Sequence, residues 1–181
     1  MKFTRTEIPE VVLIEPDCYE DERGFFSEKY NRELYAKNGI TAEFVQENHS
    51  GSKRGVLRGL HYQLPPKTQA KLVQVIAGEA FDVVVDIRKG SKTFGRHVTT
   101  VLSGENKRLV FVPEGFAHGF CALSDNTHLV YKVSSGYSKA QERGILWNDG
   151  TLAIAWPKIA GGYLLSDRDK NHPPLKEAQI F

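Results

Sequence analysis

The sequence predicts an all-β fold, a jelly-roll barrel or sandwich with an open central cavity and a few short helices. About ten short segments are rich in β-branched and aromatic residues. Glycine, proline and polar turn residues separate these segments at intervals of roughly eight to twelve residues. Only one segment has a helical pattern. A long series of short strands with regular turns is typical of sandwiches and barrels.

The predicted strands follow one another with little between them. In chain order they cover residues 11–14, 25–30, 43–47, 56–63, 71–76, 80–87, 97–102, 108–112, 118–123 and 128–133. Val73 and Val75 before the turn, and Phe81, Val83 and Val85 after it, have the period-two spacing of half-buried strands. We expect residues 77–79, centred on a glycine, to form a hairpin turn that pairs these two strands.

The helical segment covers residues 31–37, and Gly39 is expected to end it. Two further apolar pieces, at residues 145–147 and 154–156, precede a tail that is interrupted by prolines. Because no repeat, linker or low-complexity tract divides the chain, residues 1–181 are expected to form a single domain.

Composition excludes several functional classes. The formal charge is only +2, from 24 basic and 22 acidic residues, whereas a nucleic-acid-binding domain concentrates a basic excess on one face. The first ten residues do not resemble a signal peptide, and no apolar stretch approaches the length of a membrane helix. Cys18 and Cys121 are expected to be free thiols. We therefore expect a cytoplasmic protein with no nucleic-acid or membrane partner.

A histidine and a lysine are the first candidates for chemistry. Strand alternation puts His61 on the face of Gln63, and Lys71 on the next strand has the same parity. An imidazole and an ammonium on an apolar face are costly to bury without a function. Arg58 has the opposite parity, so it reaches the same pocket only if Gly59 forms a β-bulge.

Three further groups are candidates. Tyr131 shares a face with Leu129 and Val133 and is expected to point inward, either as a core tyrosine or as a general acid. His118 follows a proline–glycine turn that delivers it to the mouth of a strand. Residues 166–169, Ser-Asp-Arg-Asp, form a charged turn that on its own would pass for solvated surface.

A catalytic metal is not expected. A mononuclear metal site on this kind of barrel needs three or four convergent ligands, with two histidines one residue apart. Here Gln63 stands where the second histidine would be, and Lys71 would place a positive charge beside the ion.

Together these segments resemble the dTDP-4-dehydrorhamnose 3,5-epimerases, which are cupin-like jelly-roll homodimers that need no cofactor. The resemblance covers nearly the whole chain. It rests on DERGFF at 21–26, QEN at 46–48, RGLH at 58–61, PEGFAHGF at 113–120 and LSD at 165–167.

The resemblance implies a role for each candidate. His61 matches the catalytic base, Asp169 the carboxylate that orients it, Tyr131 the general acid on the opposite face of the sugar, and Lys71 the cation beside the ketone oxygen. Asp167 is a neighbouring carboxylate, so the sequence leaves open which of the two aspartates pairs with His61.

The resemblance also implies a set of residues that contact the sugar, the diphosphate or the nucleotide of a dTDP-sugar. They are Arg23, Glu28, Gln46, Asn48, Arg58, His118, Tyr137, Glu142 and Arg168. The last of these stands where the family usually has lysine, and the positive charge is retained. In a homodimer, Arg23 and Glu28 are the residues expected to reach the partner's site.

The implied reaction inverts C3 and C5 of dTDP-4-dehydro-6-deoxy-D-glucose to give dTDP-4-dehydro-L-rhamnose through an enolate. Three alternatives remain. The chain could epimerise only one of the two carbons or act as a 3,4-ketoisomerase, it could bind sugar nucleotides without catalysis, or it could be a metal-dependent oxygenase of the same fold. The metal-dependent reading has the least support, for the ligand reasons above.

Overall fold

Two β-sheets face each other in the computed structural model, which describes residues 1–181. The strands are β1 Lys2–Arg5, β2 Val12–Glu15, β3 Tyr19–Asp21, β4 Gly24–Phe26, β5 Gln46–Ser52, β6 Leu57–Gln63, β7 Lys71–Ala77, β8 Glu79–Asp86, β9 His97–Ser103, β10 Leu109–Val112, β11 Phe116–Ala122, β12 Thr127–Val133 and β13 Glu142–Gly144. The first sheet has six strands in the order β1-β2-β10-β7-β12-β5, and the second has five in the order β13-β6-β11-β8-β9. A separate two-stranded hairpin is formed by β3 and β4.

The all-β prediction is confirmed, and most predicted strands lie within two residues of the observed ones. The strand predicted at 25–30 is wrong beyond Phe26, and the one predicted at 43–47 begins only at Gln46. The apolar pieces at 145–147 and 154–156 are not strands. Both pieces pack against the outer face of the second sheet. Only Ile145 also pairs with the sheet, through two backbone hydrogen bonds with Leu60 of β6.

The hairpin predicted around Gly78 is wrong. β7 pairs with β10 and β12 in the first sheet, whereas β8 pairs with β9 and β11 in the second. Gly78, at φ +74°, turns the chain from one sheet into the other. Alternation along each strand indicates which residues face inward, but it does not identify the neighbouring strand.

Apolar side chains fill three layers. The largest cluster lies between the sheets, where Val73 and Val110 of the first sheet meet Val84 and Phe116 of the second. A second cluster covers the outer face of the second sheet with the C-terminal segment, and a third covers the outer face of the first sheet. The space between the sheets that this core leaves unfilled becomes the cavity.

Two short helices complete the fold. Helix α1 spans Arg32–Lys37, as predicted, and the Asn31 side chain caps it by accepting a hydrogen bond from the Leu34 amide. Helix α2 spans Asp167–Lys170 and was not predicted as a helix. Neither helix has the length or the apolar character needed to cross a membrane. Both cysteines are free thiols, as expected.

Candidate active site

A cavity of about 630 Å³ opens between the two sheets, and its lining is predominantly polar. Strands of both sheets contribute to it, together with helix α2. The lining residues are Gln46, Asn48, Ser50, Arg58, His61, Tyr62, Gln63, Gln69, Lys71, His118, Phe120, Leu129, Tyr131, Tyr137, Glu142, Ser166, Arg168 and Asp169. The cavity therefore brings together every predicted site residue except Arg23 and Glu28.

A β-bulge in β6 lets Arg58 and His61 face the same cavity. His118 of β11 pairs with His61, but Phe120 pairs with Arg58, so two residues of β6 lie opposite one of β11. Gly59 sits in this bulge at φ +140°, and a Cβ there would lie 2.5 Å from the Cα of Gly119. The β-bulge at Gly59 that Arg58 needs in order to reach the same pocket as His61 is therefore present.

His61 is paired with a buried carboxylate. Its Nε2 lies 2.5 Å from Oδ1 of Asp169, whose side chain is only 5% exposed. Burial lowers the pKa of His61, and the hydrogen bond and charge of Asp169 oppose that effect without reversing it. The imidazole is therefore neutral near pH 7, the form that accepts a proton.

Helix α2 holds the carboxylate in place. Ser166 is the N-cap of helix α2. The Ser166 hydroxyl accepts a hydrogen bond from the Asp169 amide (3.1 Å) and donates one to Asp169 Oδ2 (2.8 Å). Burial raises the pKa of Asp169, but the nearby His172, the hydrogen bond with His61 and the one from Ser166 lower it by a larger amount, so the group is ionised. Asp167 is exposed and contacts Lys170. Of the two aspartates, it is therefore Asp169 that pairs with His61.

Lys71 reaches the cavity from the opposite sheet. It is 7% exposed, and its Nζ donates to the backbone carbonyl of His61 at 3.2 Å. Burial lowers its pKa to about 8, although Asp82 and Glu142 act in the opposite direction. A lysine in this state is charged at neutral pH in a weakly screening environment.

His118 forms a second imidazole–carboxylate pair. Its Nε2 lies 2.8 Å from Oδ2 of Asp82, a side chain with no exposed surface. The other oxygen of Asp82 has no hydrogen-bond partner. The negative charge of Asp82 raises the pKa of Lys71 and so opposes part of the lowering caused by burial.

Tyr131 faces inward from β12, as predicted. In register it lies between Asn48 of β5 and Val73 of β7, on the first sheet. Burial raises its pKa, and hydrogen bonding to Asn48 opposes this. The phenol therefore keeps its proton through the neutral range. It enters the cavity from the sheet opposite to the one that carries His61.

Three predicted residues form a linked group at the mouth of the cavity. Glu142 Oε2 accepts a hydrogen bond from the Tyr137 hydroxyl at 3.0 Å and one from Arg168 Nη1 at 2.6 Å. Glu142 lies on β13, directly across from Gln63. The group holds a guanidinium at the entrance, where an anionic substituent of a ligand would pass.

Arg23 and Glu28 lie outside the cavity of this chain. Arg23 is at the turn of the β3–β4 hairpin, where its guanidinium is 2.5 Å from Asp21, and Glu28 contacts Asn31 at the start of α1. The hairpin also carries Tyr19, Phe25 and Phe26, which are 60–70% exposed.

Sequence reasoning missed several residues of the site. Asp82 had a usable signal, since it is an aspartate with the same strand parity as Ala80 and Val84, in the middle of a largely apolar strand. Ser166 also had one, because serine three residues before an acid is a helix-capping pattern. His172 had none, since it belongs to no periodic segment. Ser50, Gln63 and Gln69 also line the cavity.

One cluster has ligand atoms close enough to hold a cation. It consists of His61, Asp169 and His172, whose ligand atoms lie within 4.8 Å of one another. The 2.5 Å separation of His61 Nε2 and Asp169 Oδ1 is that of a hydrogen bond. Lys71 and Arg168 also add positive charge near His61. This donor set does not fit a resident metal.

The chain is similar over its length to known epimerases. The family model described as dTDP-4-dehydrorhamnose 3,5-epimerase matches residues 5–177. The dTDP-4-dehydrorhamnose 3,5-epimerase of Shigella flexneri is 54% identical over 182 residues, covering 100% of this chain and 99% of that protein. The enzyme of the same name from Pseudomonas aeruginosa is 48% identical, with coverage of 100% and 99%.

Solved structures agree with these relatives. An epimerase from Legionella pneumophila, in complex with dTDP-4-keto-L-rhamnose, superposes with a TM-score of 0.94 at 48% identity, covering 97% of this chain and 93% of that one. A 3′-monoepimerase from Streptomyces bikiniensis, in complex with dTDP-quinovose, superposes with a TM-score of 0.88 at 38% identity, with coverage of 94% and 86%. The chain belongs to the dTDP-4-dehydrorhamnose 3,5-epimerase family.

Proposed function

We propose that this chain inverts C3 and C5 of dTDP-4-dehydro-6-deoxy-D-glucose, giving dTDP-4-dehydro-L-rhamnose by proton transfer through an enolate. One observation carries the proposal. His61 and Tyr131 enter one cavity from opposite sheets, and Lys71 lies in the same cavity. Inversion at a carbon beside a ketone needs a base on one face, an acid on the other, and a positive charge at the oxygen.

His61 is the base. Its neutral imidazole removes the proton from a carbon next to the C4 ketone, and the electron pair moves onto the ketone oxygen. The resulting imidazolium is stabilised by Asp169, which is held ionised within hydrogen-bond distance. A buried carboxylate of fixed orientation needs no rearrangement at the moment of proton transfer.

Lys71 and His118 stabilise the negative charge that develops on the ketone oxygen. Lys71 is buried, and His118 is held by Asp82 through one ring nitrogen. Because water screens the cavity poorly, a preorganised cation stabilises an enolate there more than it would in bulk solvent.

Tyr131 completes the inversion. Its phenol donates a proton to the carbanion carbon from the face opposite His61, and the phenolate recovers a proton from solvent. The raised pKa of Tyr131 keeps this proton in place until the enolate forms. The His61 imidazolium releases its proton to solvent, and the same pair then acts at the second carbon.

The remaining cavity residues hold the nucleotide sugar. Arg58 and Arg168 are suited to the diphosphate, because guanidinium groups form paired hydrogen bonds with its oxygens. Gln46, Asn48, Tyr137 and Glu142 supply polar contacts for the sugar and the nucleotide. None of these steps uses a cofactor, and we expect enzyme treated with a chelator to keep its activity.

The fall of kcat/KM at high pH should report the deprotonation of Lys71. Because its pKa is about 8, the ammonium loses its proton as pH rises through that value, and kcat/KM should fall. Tyr131 cannot cause this fall, since its pKa is raised above the ordinary value of 10. Lys71→Met should lower kcat by about 10²–10³-fold and abolish the fall. A variant that keeps the fall near pH 8 would remove Lys71 from this role.

We propose that the chain acts as a homodimer in which Arg23 and Glu28 enter the partner's cavity. The β3–β4 hairpin supports this, because it exposes three aromatic side chains beside Arg23. Tyr19 and Phe26 are opposite each other in the hairpin register, and exposed aromatic side chains placed together are typical of an interface.

Mixed dimers test the arrangement. His61→Asn and Arg23→Ala subunits should each be weakly active alone at low substrate concentration. Combined and allowed to exchange, they should recover roughly a quarter of the wild-type rate, because random pairing makes one intact site in half of the dimers. If Arg23 serves its own subunit, mixing restores nothing.

Solvent exchange tests the reaction itself. Wild-type protein is incubated with dTDP-4-dehydro-6-deoxy-D-glucose in deuterated water and the sugar is followed by NMR. We expect deuterium at both C3 and C5 of the product. The similarity to a 3′-monoepimerase makes single epimerisation the second candidate, and deuterium and inversion at C3 alone would select it. Tight binding with no exchange would indicate a binding protein without catalysis.

A further inference from the structure

Asp169 has a second imidazole beside it. His172 follows helix α2, and its Nε2 lies 3.5 Å from Asp169 Oδ1, the oxygen that also contacts His61 at 2.5 Å. The other oxygen is occupied by the Ser166 hydroxyl. The carboxylate is therefore surrounded by three groups that can donate to it, and two of them are histidines sharing one oxygen.

The His172 ring is packed between His61 and Gly144. Its side chain is 11% exposed and packs edge-to-face on His61, with the ring centroids 5.5 Å apart at 77°. Below the ring lies Gly144 of β13, which pairs with His61 in the sheet. A Cβ on Gly144 would lie 2.3 Å from His172 Nε2, so only glycine leaves room for the ring.

The buried Nε2 of His172 lacks a hydrogen-bond partner within ordinary distance. Its separation of 3.5 Å from Asp169 is longer than the usual N–H···O distance of about 2.9 Å. A buried polar nitrogen without a partner is unfavourable. The nearest acceptor is the carboxylate, so a small movement of either side chain would supply the missing hydrogen bond.

We propose that His172 is a positioning residue that shares Asp169 with His61 and thereby limits how strongly the carboxylate raises the basicity of the catalytic imidazole. The inference rests on the proposed function of His61 as base. A proton on His172 Nε2, directed at Asp169, withdraws part of the negative charge that would otherwise act on His61 alone. Its effect on catalysis passes entirely through Asp169.

Loss of this donor has a predictable sign. Without it, the charge of Asp169 acts more fully on His61, the pKa of His61 rises, and the acid limb of kcat/KM moves to higher pH. The other charged or titratable groups that line the cavity around the pair are Lys71, Arg168 and Glu142, together with Arg58, Tyr62, His118, Tyr131 and Tyr137. All of them remain in the variants below, so they do not contribute to the difference.

Two matched substitutions separate hydrogen bonding from packing. His172→Phe keeps a ring on Gly144 and removes the donor, whereas His172→Gln removes the ring and keeps an N–H at a similar reach. We expect the acid limb of His172→Phe to move up by about one pH unit and that of His172→Gln to stay near the wild-type position. An unmoved limb in the phenylalanine variant, or equal shifts in both, would overturn the proposal.

Nitrogen NMR of the wild-type imidazoles requires no variant and no turnover. We expect His172 Nε2 to carry a proton at pH values above the pKa of His61, and the His61 titration observed by NMR to move upward in His172→Phe. An unprotonated Nε2 on His172 would reject the assignment. Because these signals are read without substrate, they decide the role of His172 even if the solvent-exchange experiment fails.

Discussion

His61→Asn should reduce turnover by about 10²–10⁴-fold and stop deuterium incorporation at both C3 and C5. Asparagine fills a similar space and can still donate to Asp169, but its amide has no useful basicity. The proton that must leave first therefore has no acceptor on that face of the sugar. Substrate binding should change little, because the loss falls on kcat and not on KM. NMR of the sugar in deuterated water measures exchange and turnover in one experiment.

His97→Asn is the matched control. His97 begins β9, at the edge of the second sheet, and does not line the cavity. The same change of residue there should leave exchange intact. Exchange at wild-type rates in His61→Asn would mean that another group removes the proton. Exchange lost at only one carbon would mean that His61 serves that carbon alone.

Tyr131→Phe should separate proton removal from inversion. Phenylalanine keeps the ring that packs in the cavity and loses only the proton donor, so the fold should be retained. His61 still forms the enolate, but the carbon is then reprotonated from the His61 side, which returns the starting configuration. We expect product formation to fall by about 10²–10³-fold, while recovered substrate gains deuterium.

Tyr163→Phe controls for the loss of a hydroxyl. The Tyr163 hydroxyl donates to the Pro157 carbonyl at 2.9 Å, and the residue does not line the cavity. This variant should epimerise normally. If Tyr131→Phe slowed exchange and inversion to the same degree, the tyrosine would be a structural member of the cavity and the acid would have to be sought elsewhere.

Local patterns in the sequence were sufficient for the fold class and for the direction of several side chains. Period-two alternation placed Tyr131 on the inward face of its strand, and the structure agrees. The asparagine at position 31 and the segment that follows it indicated helix α1 in the right place. These features depend on residues within a few positions of each other, where side-chain direction follows directly from backbone geometry.

Such local patterns could not predict which distant segments of the chain contact each other. The contact of His61 with Asp169 joins residues 108 positions apart, and the His172 ring is held beside it by a glycine on a third segment. The Gly78 turn separates two sheets where alternation suggested a hairpin. The position of Arg58 depended on one bulged residue in β6.

The sequence by itself determined an all-β chain with inward-facing polar residues at regular positions on several strands. Only the tertiary structure decided which of those residues share a cavity and which carboxylate meets which imidazole. The physical reason is that alternation constrains a strand's faces but not its neighbours. Those neighbours are selected by the packing of the whole core, to which residues far apart in the chain contribute together.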